Sequence, residues 1–164
     1  MARQHYEESR VVPASPAELF ALIDDHARLS AHMSKSSWML GGGRMDVALD
    51  EGRGQKVGSH IKLSGKAFGV DIYLDEVVTR HEPPRRKAWE TVGEPKLLII
   101  GKYGMAFEIT GGDVSVLRVS IDYELPQTLL GSLFGAPYAR WCVRRMLSDA
   151  ADHFATPVRV AAAA

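Results

Sequence analysis

Tyr103 and Tyr123 are the residues of this sequence best suited to meet a bound molecule, because each alternates with apolar side chains and shares their face. A buried phenol needs a hydrogen-bond partner. The partner is either protein or water, or a ligand that both phenols face, and the sequence leaves both alternatives open. In an enzyme, either hydroxyl would orient or protonate a substrate carbonyl.

Other side chains on the same predicted inner face complete a candidate binding site. We predict that the ligand-binding residues are Trp89, Thr91, Tyr103, Met105, Phe107, Tyr123 and Phe134. Ordinary core packing explains Trp89 and Phe107 equally well. Phe134 enters the set because a bend at Pro137 would bring it to the mouth of a cavity. No inward Arg, His or carboxylate can be named as a base, so the catalytic residues are unknown.

The histidines and acidic residues do not predict a metal site. His26 and His32 are six residues apart across a predicted break between helices, unlike a helical i, i+4 pair of metal ligands. We interpret His26 as a cation at the C-terminal end of a helix. Asp71, Asp75 and Glu76 are interpreted as a solvated outer face of a strand. We therefore predict no metal and no cofactor.

Nucleophilic and phosphate-binding sites are not indicated either. Cys142 projects onto the apolar face of the last helix, where a thiol behaves as a small hydrophobe. The sequence also lacks a Gly-x-Ser-x-Gly elbow. Gly41-Gly42-Gly43 precedes a strand rather than a helix, so it is interpreted as a loop and not as a phosphate cradle.

Composition limits the classes of protein further. The chain has 164 residues, with Lys+Arg 20 balancing Asp+Glu 20. Zero net charge lacks the basic excess of a nucleic-acid binder, so we predict no nucleic-acid partner. No run approaches the roughly 18 apolar residues of a membrane span, and the charged N-terminus does not resemble a secretory signal. We predict a single domain over residues 1–164, ordered over about 5–156, in the cytoplasm.

The elements that must position these residues are indicated by periodicity and turn chemistry. A strand over Tyr6–Val12 precedes a helix that Ser15, Pro16 and Glu18 start and that runs to about His26. A second short helical turn follows over Arg28–Met33. Period-two alternation then predicts six further strands. They begin near Met45 and Ile61 and cover the ranges 70–79, 86–92, 97–109 and 114–125.

A long C-terminal helix closes the chain. It is predicted to start near Pro137 and to end at Thr156-Pro157, with Gln127–Gly135 as a separate apolar segment. Its core-facing stripe is predicted to contain Ala139, Cys142, Val143, Met146, Leu147, Ala150 and Phe154. Phe134, Tyr138, Trp141 and Arg145 project elsewhere, and three aromatics beside an Arg have the composition of an interface. We therefore predict a possible homodimer through Phe134, Tyr138 and Trp141.

This order of elements is α+β, with a curved antiparallel sheet of about seven strands around one long helix. The chain resembles the START-like or helix-grip superfamily, which includes birch-pollen-allergen-like proteins and bacterial polyketide cyclase/dehydrase-type proteins. The resemblance covers about residues 5–156. It is carried by the segments 11–20 and 75–78, by Pro83-Pro84-Arg85, by Trp89-Glu90, and by 141–145 in the last helix.

The resemblance specifies the fold better than the activity, because its members bind, transport and transform many molecules. The main hypothesis is binding of a small hydrophobic molecule, such as a lipid, polyketide or isoprenoid, in an internal cavity. A cyclase or dehydrase acting on a polyketide-like substrate is the alternative. A protein-interaction module that uses the last helix is the third hypothesis.

Overall fold

A computed structural model describes residues 2–29 and 44–163, with side chains as far as residue 155. The predictions made for His32, for Gly41–Gly43 and for the helical turn beyond residue 29 lie outside the described residues. The described elements are β1 (Arg3–Val12), α1 (Pro16–Ile23), α2 (His26–Leu29), β2 (Met45–Leu49), β3 (His60–Ala67), β4 (Val70–Glu82), β5 (Arg86–Lys96), β6 (Tyr103–Gly111), β7 (Ser115–Glu124) and α3 (Leu129–Ala163).

The seven strands form one antiparallel sheet in the order β1-β7-β6-β5-β4-β3-β2. From β2 to β7, strands that are neighbours in the sheet are also consecutive in the chain. At the other edge of the sheet, β1 pairs with β7. Helix α3 packs on one face of this sheet, chiefly against β1 and β7. The predicted α+β fold, with a curved sheet around a long helix and two short helices after the first strand, is confirmed.

Helix α1 begins as predicted, with a capping box. The Glu18 N–H donates to the Ser15 hydroxyl at 3.3 Å, and the Ser15 N–H donates to the Glu18 carboxylate at 3.0 Å. The prediction that this helix reaches His26 is wrong. Its last backbone bond runs from the Asp24 N–H to the Phe20 carbonyl, and His26 instead begins α2.

Helix α3 differs from its prediction at both ends. It starts at Leu129, where the Thr128 hydroxyl accepts a hydrogen bond from the Gly131 N–H at 3.0 Å. Pro137 lies inside the helix, and the residues from 129 to 135 belong to it. A proline removes one backbone hydrogen bond, which packing of the remaining turns can outweigh. The prediction that the helix ends at Thr156-Pro157 is also wrong, because the helix continues to Ala163.

The inner face of the sheet and one stripe of α3 enclose the core. On β7 the side chains of Leu117, Val119, Ile121 and Tyr123 are buried, while those of Arg118, Ser120, Asp122 and Glu124 on its other face are exposed or half-exposed. The predicted stripe of α3 is buried at Ala139, Val143, Met146, Leu147 and Ala150, and half-buried at Cys142 and Phe154. Alternation along the strands thus decides which side chains can reach the space beneath the helix.

Candidate functional site

A cavity of about 100 Å³ lies between the inner face of the sheet, α2 and α3. Most of its wall is apolar, and includes Leu63, Trp89, Met105, Ile121 and Met146. Its polar lining includes His26, Glu76, Tyr103, Tyr138 and Cys142. This combination of an apolar wall with a few polar groups is typical of a small-molecule site.

A second, smaller space of about 60 Å³ adjoins the first. The two spaces share Ile100, Tyr103 and Tyr138 as lining residues. Apart from the two tyrosines, its lining is apolar and comes from β2 to β4 and from the segment 97–100. Tyr103 and Tyr138 therefore stand between two parts of one interior volume.

Glu76 places a carboxyl group on the inner face at the centre of β4. It follows Ile72 and Leu74 in the inward alternation and precedes Val78. It is 5% exposed, so the interpretation of Glu76 as part of a solvated outer face is wrong. The expectation that no inward carboxylate exists is wrong for the same reason. Period-two geometry turns Glu76 inward while Asp75 faces the other side and bonds to His60.

The Glu76 carboxyl has two partners, one on the neighbouring strand β5 and one on β6 beyond it. The Tyr103 hydroxyl donates a hydrogen bond to Glu76 Oε1. The Trp89 side chain also donates toward Glu76 and favours its charged form. Burial opposes that charged form more strongly and raises the pKa of Glu76 to about 7. The carboxyl group thus changes charge near neutral pH inside the cavity.

Thr91 fixes the position of Tyr103. Its hydroxyl donates to the Tyr103 carbonyl at 3.2 Å and accepts from the Tyr103 N–H at 3.0 Å. Thr91 also pairs with Glu76 in the register of β4 and β5. The Thr91 side chain is therefore occupied by the backbone that carries the phenol, and the three residues form one inner-face group.

His26 forms another polar part of the cavity wall. It is 3% exposed, and its ring meets the Trp89 ring edge to face at 5.0 Å between centroids. Its Nε2 atom has no hydrogen-bond partner among the described residues. Burial, helped by the nearby charge of Lys87, lowers the pKa of His26 to about 3. The interpretation of His26 as a helix-terminal cation is therefore wrong, since a buried imidazole stays neutral.

The backbone beside His26 leaves no spare room. Gly54 has a φ of 70°, and a Cβ atom there would lie 2.7 Å from His26 Cδ2. A glycine is required for both reasons, because it tolerates positive φ and adds no side chain. The turn between β2 and β3 thus supports the imidazole from outside the cavity.

Tyr138 and Cys142 face the cavity from α3. Burial raises the pKa of the Cys142 thiol to about 12, so the thiol is protonated at neutral pH. The pKa of Tyr138 is also raised well above its usual value by Cys142 and by burial. A protonated thiol is a poor nucleophile. Cys142 is thus a cavity wall rather than a reactive group.

A buried ion pair lies behind Trp89. Lys87 is fully buried, and its Nζ donates to Asp24 Oδ1 at 2.6 Å and lies 5.9 Å from the Trp89 ring centroid. Asp24 also bonds to His81 Nε2 at 2.9 Å. Burial lowers the pKa of Lys87, whereas the bond to Asp24 opposes that change. This cluster anchors the end of α1 to β4 and β5.

The predicted ligand-binding residues fall into two groups. Trp89, Tyr103 and Met105 line the cavity. The others lie elsewhere: Thr91 binds the backbone of Tyr103, Phe107 packs against Phe20 and Trp89, Tyr123 is buried, and Phe134 is 51% exposed near the start of α3. Contact of any of the seven with a ligand stays a prediction.

Sequence reasoning missed Glu76, His26 and Lys87. A signal was present for two of them. By strand alternation, Glu76 falls on the same face of β4 as Ile72 and Leu74, and Lys87 falls on the same face of β5 as Trp89. Charged residues at such positions are usually discounted, since burying a charge is costly. No local pattern identifies His26, whose burial depends on the turn at Gly54 and on Trp89.

Over the described residues, no three His, Cys, Asp or Glu side chains come together as a metal site would need. The helices there include none that is long and apolar enough to cross a membrane.

The chain belongs to the family described as "Polyketide cyclase / dehydrase and lipid transport", whose model matches residues 3–159. No curated protein matches the chain closely enough to report.

Solved structures match it over most of its length. Ara h 8.0201 is 15% identical, with 91% of this chain and 98% of that chain covered and a TM-score of 0.61. A solution structure from Thermobifida fusca is 11% identical, with 93% of each chain covered and a TM-score of 0.65. TTHA0849 from Thermus thermophilus is 14% identical, with 94% and 99% covered and a TM-score of 0.62.

At these identities the likeness to solved structures shows the fold. Together with the family match, it identifies the chain as a member of the START-like, helix-grip superfamily, as the sequence resemblance indicated.

Proposed function

We propose that this protein binds a small hydrophobic molecule, such as a lipid, polyketide or isoprenoid, in the cavity between the sheet and α3. The observation that carries the proposal is an apolar cavity whose wall holds a few polar groups, among them Glu76 and Tyr103. The family description, which names lipid transport, supports the same function.

The size of the cavity suits a compact ligand. Apolar protein cavities of about 150 Å³ bind single aromatic rings. The main cavity has about 100 Å³ and the adjoining space about 60 Å³. A one-ring ligand suits the main cavity, and a two-ring ligand would extend past Tyr103 and Tyr138 into the adjoining space.

Thermal unfolding with a neutral, environment-sensitive dye such as prodan tests the binding function. A ligand that prefers the folded state raises Tm with concentration. We expect such a rise for the natural sequence and its loss in Met105→Trp, which fills the cavity. Thr110→Trp, at an exposed position of the same strand, is the matched control and keeps the rise. An unchanged Tm up to the solubility limit of the dye would contradict binding.

An enzymatic function is the second candidate, and it is favoured by the contact between Glu76 and Tyr103. A carboxylate with a pKa near 7 is matched to proton transfer at neutral pH. In this reaction the Tyr103 hydroxyl turns from Glu76 to a ketone substrate and donates its hydrogen bond to the carbonyl oxygen, and the Glu76 carboxylate takes a proton from the carbon next to the carbonyl. The product is an enolate, the reactive form needed for cyclisation or dehydration.

Deuterium exchange tests the enzymatic candidate. A bound methyl ketone in D₂O would lose its methyl proton NMR signal faster than the free ketone. Glu76→Gln would abolish the acceleration because an amide cannot accept the proton, while Glu90→Gln, exposed on β5, would retain it. Equal rates with and without protein would leave binding as the function.

The cellular setting and the partners belong to the same proposal. The balanced charge of the chain supports the prediction that it has no nucleic-acid partner, and the cytoplasmic location stays a prediction. A homodimer through Phe134, Tyr138 and Trp141 stays a prediction that the exposure of Phe134 supports, whereas Tyr138 and Trp141 stack on each other in the wall of the cavity. An interaction module built on this surface is the third candidate function.

A further inference from the structure

We propose that the cavity selects uncharged molecules that carry a carbonyl or hydroxyl oxygen, which hydrogen-bonds to His26, and that it excludes carboxylates. The inference rests on the proposed binding function and specifies the ligand class. The cavity would bind ketones, alcohols and related neutral molecules and would exclude fatty acids and other anions.

The first support is the unsatisfied nitrogen of His26. Buried polar atoms nearly always have a hydrogen-bond partner, and leaving one without a partner is costly. His26 Nε2 is buried, belongs to a cavity-lining residue and has no partner among the described residues. A ligand oxygen inside the cavity would supply the missing partner. A neutral imidazole nitrogen can donate to a carbonyl or accept from a hydroxyl, depending on its tautomer.

The second support is that the other polar groups around the cavity, in the part of the chain that the structure describes, already interact with protein partners. The Tyr103 hydroxyl and the Trp89 side chain donate to Glu76. Thr91 binds the backbone of Tyr103. Tyr138 is hydrogen-bonded to Cys142. The ligand therefore gains most by placing its oxygen at His26, with its apolar part against the remaining wall.

The third support is the charge of the lining. Glu76 faces the cavity, and an anionic ligand would meet its charge at short range in a medium of low dielectric constant. A buried anion needs a cation beside it. Arg145 and Asp149 line the cavity but are paired with each other at 3.3 Å, and Lys87 is paired with Asp24 at 2.6 Å behind Trp89. Over residues 2–29 and 44–155, a ligand carboxylate would thus meet repulsion without a free cation to compensate it.

At pH 8 the tyrosines, the cysteine and the histidine packed around Glu76 are uncharged, so they do not offset its repulsion of an anionic ligand. Tyr103 and Tyr138 have pKa values raised well above their usual range, and the pKa of Cys142 is about 12. His26 remains neutral on the α2 side. Arg145 and Asp149 in the lining offset each other's charge, so Glu76 is then the described lining charge without a partner of opposite sign, and Asp75 on the opposite face of β4 adds to the negative potential.

Three ligands of nearly equal shape test the inference by calorimetric titration at pH 8: 2-acetylnaphthalene, 2-naphthoate and 2-methylnaphthalene. The hydrogen bond should make the ketone bind about fivefold more tightly than the hydrocarbon. Repulsion by Glu76 should make the carboxylate bind at least about tenfold more weakly than the ketone.

Variants separate the hydrogen bond to His26 from the repulsion by Glu76. His26→Phe keeps an aromatic ring against Trp89 but removes Nε2, so it should abolish the preference for ketone over hydrocarbon. Glu76→Gln should strengthen naphthoate binding about tenfold, because it removes the repelling charge. His60→Phe is the matched control on the other face of the sheet and should change neither preference.

A measurement on the natural sequence covers the case in which His26→Phe does not fold. The ¹⁵N chemical shift of His26 Nε2 should move when 2-acetylnaphthalene saturates the protein, while the His60 nitrogens stay unchanged. A tight naphthoate complex, or a ketone complex that leaves the His26 shift unmoved, would overturn the inference. Absence of binding by all three ligands would instead contradict the proposed function.

Discussion

The Tyr103 hydroxyl donates a hydrogen bond to the Glu76 carboxyl, so that β6 and β4 are linked by side chains across the intervening strand β5. The link crosses above Thr91, which pairs with Glu76 in the register and binds the Tyr103 backbone. The carboxyl group is therefore held at a fixed point of the inner face. Its protonation state must influence both the stability of the fold and the contents of the cavity.

Replacement of Glu76 by Gln should change how stability depends on pH. The pKa of Glu76 is raised from 4.5 to about 7 in the folded state, so the folded protein binds this proton more tightly than the unfolded chain. This contribution to stability is present below pH 4.5 and is lost as the pH rises through 7, with a size of ~3 kcal/mol. Urea unfolding of both proteins at pH 5 and pH 8 measures it.

The control for this experiment is Glu90→Gln, at an exposed position of β5. This variant should leave the difference in the free energy of unfolding between pH 5 and pH 8 as it is in the natural sequence. If Glu76→Gln shows that same difference too, then Glu76 is ionised at pH 5 in the folded protein.

His26 should cause a loss of stability on the acid side. Its pKa is lowered from 6.5 to about 3 in the folded state, so the unfolded chain binds the proton more tightly. This contribution to stability is present above pH 6.5 and is lost as the pH falls toward 3, by up to ~5 kcal/mol. In His26→Phe the decline in the free energy of unfolding between pH 6.5 and pH 4 should be shallower. A parallel decline in both proteins would show that His26 accepts a proton without unfolding.

Lys87→Met should destabilise the protein strongly. The substitution leaves Asp24 buried with His81 as its remaining side-chain partner, and breaking a buried ion pair costs about 3–5 kcal/mol. Lys66→Met is the control, because its pair with Asp71 is exposed and should contribute less than ~1 kcal/mol. Chemical denaturation measures both variants, and equal small effects would contradict the role assigned to the buried pair.

Tyr103→Phe should weaken the binding of prodan or of a methyl ketone when the Tyr103 hydroxyl turns from Glu76 to the ligand, as the enzymatic candidate requires. The substitution removes a hydroxyl at the cavity wall and leaves Glu76 with one donor fewer, while changing the free energy of unfolding by about 1–3 kcal/mol. Tyr123→Phe is the comparison, since its phenol is buried on the neighbouring strand. An equal loss of affinity in both variants would show that the occupied volume extends to Tyr123. Unchanged affinity in both would exclude the phenols from binding.

Phe134→Glu should reveal whether α3 forms a dimer contact. Phe134 is exposed beside exposed Leu130 and Leu133, and a charge in an apolar contact is unfavourable. Sedimentation velocity of the natural sequence should show a dimer that becomes a monomer in the variant, with the Tm retained. A natural sequence that sediments as a monomer at all concentrations would contradict the dimer.

The fold could be predicted because its determinants are local. The capping residues Ser15 and Glu18 and the alternation along β7 act over a few positions, and they led to the correct elements and faces. The ends of α3 could not be predicted, because Pro137 is tolerated only where packing outweighs a lost hydrogen bond. At Gly135, for example, a Cβ would lie 2.3 Å from Leu125, so this part of the helix lies against the chain that precedes it.

The candidate site was harder to predict because it depends on long-range contacts. Trp89, Tyr103 and Met105 follow from strand parity and do line the cavity. Glu76 is stabilised by a residue 27 positions away, and His26 packs on a ring from another strand. A charged or polar residue is favourable inside only when such partners exist, and the sequence alone does not show which residues meet.

The glycine at position 54 has a consequence for ligand length. Because a Cβ there would collide with His26 Cδ2, the imidazole already rests against the turn and cannot retreat outward. The position of this end of the cavity is therefore fixed, and it limits the length of the ligand on the His26 side. A ligand whose oxygen sits at His26 can vary in length only toward α3. Homologous chains that bind longer molecules should differ at the residues of that helix, and a side chain larger than glycine at position 54 should shorten the longest ligand accepted.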